Sequence, residues 1–181
     1  MPSTSALQPL PYLSAYPASL QMQVRALMEK PHGLRDWLLR RHEEPHSFRT
    51  DKSLFAYVDE LKQSYLRKAG TLHKVMYDSK VHVVRHALGT HTRRTVVQGA
   101  GLKARHEIRI ASMFKQTPEA FLHMITVHEL AHLREMDHDK AFYNLCTHME
   151  PQYHQYELEV RMYLCHLDAG GEKLWGSDLA S

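Results

Sequence analysis

The segment Val127-His128-Glu129-Leu130-Ala131-His132 places two imidazoles four residues apart. On a helix that spacing puts both rings on one face about one turn apart, within reach of a single cation. Glu129 sits beside the first of them, placed to act on a water held by the cation rather than to bind the cation itself. His138 follows six residues after His132. A chain that leaves the helix after Leu133 and turns can return this third ring to the same ion. Three neutral nitrogens leave a fourth position open for water, the catalytic rather than the closed form of a zinc site. Glu129 would then take the proton of that water as a general base. Glu157 and Glu159 on a later helix are alternative third ligands, but spacing favours His138, and salt bridges to Arg161 or other neighbours are their simpler role.

These residues need a helix to carry them and a scaffold to hold it. Thr117-Pro118-Glu119 predicts a helix start, with a capping hydroxyl, a proline in the first turn and an acid near the positive end of the dipole. The helix should run through Leu133 and bury Phe121, Leu122 and Ile125. Further helices are expected at 140–148 and 153–167, with Asp139 better suited to capping the first than to supporting a ligand. Tyr143 is placed for packing behind the site or for stabilising an oxyanion. Ahead of the central helix, short β-branched runs predict strands at Leu72–Tyr77, Val81–Ala87, Arg94–Val97 and Glu107–Ala111. The connections, among them Gly99-Ala100-Gly101, are short enough to favour an antiparallel meander. Apolar spacing predicts helices near 20–28, 34–38 and 52–68. Residues 1–18, with four prolines, read as a flexible arm. The expected order is thus an arm over 1–18, a helical segment over 19–70 and the chemistry-bearing region over 71–181. The fold class is α+β, with N-terminal helices, a small, mainly antiparallel sheet, then the active-site helix and C-terminal helices.

Composition narrows the function classes. The chain has 181 residues, 43% hydrophobic and 24% charged, ordinary globular values that exclude collagen-like and wholly disordered chains. No apolar stretch approaches the roughly 20 residues that span a bilayer. Two cysteines without a pairing motif and no leader-like start make a cytoplasmic location the expectation. A net charge of +3 is weak for a nucleic-acid binder. The basic clusters Arg40-Arg41, Arg67-Lys68 with Lys74, and Arg93-Arg94 therefore read first as solvated surface, with nucleic acid as the alternative partner. Oligomeric state is left open.

The run from His128 to Tyr143 resembles the signature of the YgjP-like metal-dependent hydrolases, which are related to the SprT-like and WLM zinc metallopeptidases. The resemblance implies a zincin-like fold, zinc bound by His128, His132 and His138, and Glu129 as catalytic base. It further implies cleavage of a peptide or protein substrate. Leu133, Met136 and Phe142-Tyr143 match the accompanying packing positions. In zincins an edge strand ahead of the helix holds extended substrate, which assigns Glu107, Ile108, Arg109, Ile110 and Ala111 to substrate binding by strand addition. The stretch Val97–Leu102 departs from the family pattern. Two alternatives stand beside the peptidase: a DNA-associated protease of the SprT-like kind, and a non-catalytic, metal-stabilised binding module.

Overall fold

The computed structural model describes residues 10–81, 89–98 and 101–176, with side chains described outside 89–105. The element order is α1 (Ala18–Glu29), α2 (Gly33–Arg41), α3 (Asp51–Tyr65), β1 (Leu72–Asp78), β2 (Gly89–Gln98), β3 (Gly101–Ala111), α4 (Glu119–Ala131), α5 (Lys140–Met149) and α6 (Tyr153–Asp168). The architecture is α+β, as the patterning predicts. Short 3₁₀ turns at Pro11–Leu13 and Ser112–Gln116 complete it.

Local chemistry explains most of the boundaries. Thr50 accepts a hydrogen bond from the Ser53 amide, and Ser53 returns one to the Thr50 amide, a reciprocal cap that starts α3. Asp139 accepts from the Phe142 amide at 3.0 Å and starts α5, the capping role expected of it. The start of α4 differs from expectation. Pro118 occupies the cap position without a side-chain bond, while the Thr117 hydroxyl donates to the Phe114 carbonyl at 3.0 Å. Proline has already set its own backbone angle there, so the missing hydroxyl cap costs little pre-organisation.

α4 forms the middle of the molecule. Phe121, Leu122, Met124, Ile125, Val127 and Leu130 are all fully buried, so the helix is apolar around most of its circumference and is enclosed by α3, α5, α6 and the sheet. One contiguous core extends from Leu13 through α4 to Trp175. The expected flexible arm is therefore docked from Leu10 onward. Leu10 and Leu13 are buried and the 3₁₀ turn packs on α6. Residues 1–9 of that arm lie outside the described residues.

The sheet corrects the expected meander. Its order is β1-β3-β2, with β2 antiparallel to β3 and β1 parallel to it. The β2–β3 pair is antiparallel because a short connection joins them. β1 takes the opposite edge of β3, in register Val75↔Ile108 and Tyr77↔Ile110, which brings four buried side chains to one face of the sheet. Long-range burial, not adjacency in sequence, decides that pairing. Most of the expected strand Val81–Ala87 and the turn at Gly99-Ala100 lie outside the described residues. No helix among the described residues is long and apolar enough to cross a membrane.

Candidate metal centre

His128 lies in the last turn of α4, His132 is its C-cap and His138 stands in the connection to α5. The i, i+4 spacing sets the first two rings 5.0 Å apart, centroid to centroid. The connection folds back and brings His138 to 4.9 Å from His128 and 4.8 Å from His132. The His138 Nε2 atom is 3.2 Å from Nε2 of His128 and 3.0 Å from Nε2 of His132. All three ligand atoms lie within 4.8 Å of one another.

Each ring is held from behind. The His132 Nδ1–H donates to the Glu135 carbonyl at 3.0 Å; because a carbonyl only accepts, the proton sits on Nδ1 and Nε2 keeps its lone pair. The His128 Nδ1 pairs with the Tyr153 hydroxyl at 2.7 Å. Phe142, fully buried, packs against all three imidazoles at centroid distances of 5.0, 4.7 and 4.7 Å. Burial, reinforced by the neighbouring His132 and His138, pushes His128 down to about 3, and burial also lowers His132. Neutral rings with converging Nε2 atoms are the form that binds a divalent cation.

The donor set fits such an ion. Tetrahedral ligands at about 2.0–2.1 Å from zinc stand roughly 3.3–3.4 Å apart, within a few tenths of an ångström of the two Nε2–Nε2 distances above. A proton on the His138 Nε2 could satisfy only one of its two neighbours, whereas a cation satisfies all three. Glu129 gives an independent sign. It is 1% exposed and its Oε2 has no hydrogen-bond partner among the described residues. Burial alone pushes its carboxyl up to about 8, and a nearby cation is what would favour its ionised form.

The other sequence-predicted residues are distributed differently. Glu157 pairs with Arg161 at 2.9 Å, and Glu159 accepts from Arg41 at 2.6 Å and Gln155 at 2.8 Å and also pairs with His42, so neither joins the triad. Tyr143 packs beside His138 at 6.5 Å between ring centroids. Met136 is 63% exposed, so it does not serve as a packing position. The assignment of Glu107, Ile108, Arg109, Ile110 and Ala111 to an edge strand is corrected. Positions 107–110 of β3 are paired on one side with β1 and on the other with β2. Ile108, Ile110 and Ala111 are buried in the core, while Arg109 binds Asp78 at 2.7 Å and approaches Glu107 at 3.6 Å on the opposite face. A central strand offers no free edge to an extended peptide. Tyr153 carries no signal in the sequence that selects it; its aromatic type at the start of α6 is an ordinary core feature, and only the fold sets its hydroxyl against His128.

Residues 56–162 match the YgjP-like, metallopeptidase domain family. The chain is also 51% identical over 165 residues to a protein of Escherichia coli (strain K12) named UTP pyrophosphatase, covering 91% of this chain and 98% of the relative. No solved structure matches the chain.

Proposed function

The chain belongs to the YgjP-like family and is a metal-dependent hydrolase, and from that premise we propose that it cleaves a phosphoanhydride bond of a nucleoside triphosphate, UTP foremost, with a zinc ion at the three-histidine centre. One observation carries the substrate class: the 51% identity extends over nearly the whole length of a relative named for UTP. A cytoplasmic location, expected from the sequence, suits such a substrate.

When bound, the metal supplies Lewis-acid polarisation and lowers the pKa of water towards about 7. His128, His132 and His138 hold it, and Tyr153 and the Glu135 carbonyl fix which nitrogen each of the first two rings presents. Phe142 keeps the back of the site dry. Glu129 accepts a proton from the attacking water. A new bond forms between the water oxygen and the α-phosphorus, the bond from that phosphorus to the bridging oxygen breaks, and diphosphate leaves with the electron pair while Glu129 gives up the proton it took.

Peptide hydrolysis is the second reading. The family description favours it, because the same base and the same three ligands serve attack on a carbonyl. The paired edges of β3 remove the strand-addition surface that a peptidase of this kind was expected to use.

The test is hydrolysis by the zinc-loaded protein of UTP and, separately, of an unstructured protein such as casein. Release of diphosphate from UTP, lowered roughly 10²–10⁴-fold by Glu129→Gln, is the expected result. Cleaved casein with intact UTP would replace this proposal with the peptidase. Inertness towards both would replace it with the non-catalytic binding module.

A further inference from the structure

Past the end of α4 lies a cavity of about 670 Å³, walled by the chain between α3 and β1, by His106 of β3 and by the two residues after His132. Its polar lining consists of Arg67, Lys68 and Arg134 with His106 and Tyr65, and among the described residues no carboxylate lines it. The volume falls within the roughly 300–1,000 Å³ of small-molecule sites. For a chain with 23 basic and 20 acidic residues, a recess whose charged side chains, among the described residues, are all cationic is a marked local departure. Arg67, Lys68 and Arg134 are exposed and reach the recess from solvent. Leu133 and Arg134 directly follow His132, so the chain passes from one metal-binding residue straight into a wall of the recess.

We propose that this cleft binds the polyphosphate chain of the substrate, with Arg67, Lys68 and Arg134 as its cationic contacts; the assignment rests on the nucleotide-hydrolysis reading above and gives it a binding surface. Guanidinium groups match phosphate oxygens two at a time, and a lysine adds a compact charge. The residues that end α3 and α4 border the recess, so helix dipoles present their negative ends there. The backbone therefore does not attract an anion, and the side chains must do so. Gly70 permits the close wall: a Cβ at that position would stand 2.5 Å from the His106 Nε2. The cleft is assigned to the polyphosphate chain alone.

The experiment is calorimetric titration of inorganic tripolyphosphate, UTP and uridine into zinc-loaded Glu129→Gln protein, whose turnover is expected to be slowed roughly 10²–10⁴-fold, with metal content read after each titration. Each exposed charge contributes roughly threefold, so the combined Arg67→Ala, Lys68→Ala and Arg134→Ala replacement is expected to weaken tripolyphosphate and UTP by about thirtyfold at low salt. The loss should shrink as salt is added. Metal content should not change, and the combined Arg67→Lys and Arg134→Lys replacement, which keeps the charge but not the paired contacts, should bind more tightly than the alanine replacement and less tightly than the parent. Tripolyphosphate binding within twofold of the parent in the triple alanine protein would overturn the assignment. So would duplex DNA that displaces tripolyphosphate at equal phosphate concentration. The two readings fail separately. Charge-dependent tripolyphosphate binding without UTP turnover in the unsubstituted protein refutes the hydrolytic reading and leaves the cleft. UTP turnover with an unchanged KM in the triple alanine protein refutes the cleft and leaves the hydrolase.

Discussion

Two glutamates on neighbouring helices, Glu129 on α4 and Glu159 on α6, are buried to the same degree and surrounded differently. Glu159 is fully enclosed, yet its carboxylate meets Arg41, His42 and Gln155. Burial raises its pKa, but the hydrogen bonds from His42, Gln155 and Arg41, together with the charge interaction with His42, outweigh it and hold the carboxyl below the ordinary range. Glu129, also closed to solvent, keeps one oxygen without a partner among the described residues, and burial pushes it up to about 8. One site is satisfied and stabilising. The other is left incomplete by the protein's own atoms, the pattern expected where a cation and a reacting water complete the shell.

Exchange of either carboxylate for an amide should separate these roles. Glu159→Gln removes the charge from a buried network and is expected to cost about 2 kcal/mol, or roughly 4–8 °C in Tm, with metal content unchanged. Glu129→Gln should leave Tm at or slightly above that of the parent, since a desolvated carboxyl is replaced by a neutral group, while UTP turnover is lost. Thermal denaturation of the two variants side by side checks the contrast. Equal destabilisation by both would erase it.

Tyr153→Phe probes the support behind His128. Loss of the 2.7 Å contact leaves the ring free to rotate, and metal affinity is expected to fall roughly 10- to 100-fold by competition with a chromogenic chelator. An unchanged affinity would reduce Tyr153 to core packing.

The smallest effect concerns pH. The folded pKa of Glu159 lies below its unfolded value, so its contribution is complete above the unfolded pKa of about 4.3 and fades as pH falls through the folded value. The stability difference between the parent and Glu159→Gln should therefore narrow as pH drops below about 4, read from urea midpoints at successive pH values. A difference that stays constant would show that the network does not depend on ionised Glu159.

What the sequence made legible is local. His128, His132 and His138 fall within one helix end and one turn, so their convergence follows from a helical repeat and a short connection. The Asp139 cap is legible for the same reason. Tyr153, twenty-five residues after His128, carries no periodic signal that points to the site. The order β1-β3-β2 was hidden because burial of Val75 and Tyr77 beside Ile108 and Ile110, not chain proximity, chooses the partner of β1. The cationic cleft assembles from three separate segments, and its Arg67-Lys68 pair reads in sequence as ordinary solvated surface. The Arg40-Arg41 pair shows why such clusters mislead, since Arg41 turns inward to Glu159 and over the Trp37 ring.

The convergence of three imidazoles is the centre on which all of this depends, and metal stoichiometry measures it directly. Elemental analysis of protein purified without added metal should find about one zinc per chain, and His138→Ala should retain only a small fraction of it. A parent protein that binds no divalent metal even after zinc is supplied, or a His138→Ala protein that holds as much as the parent, would contradict it.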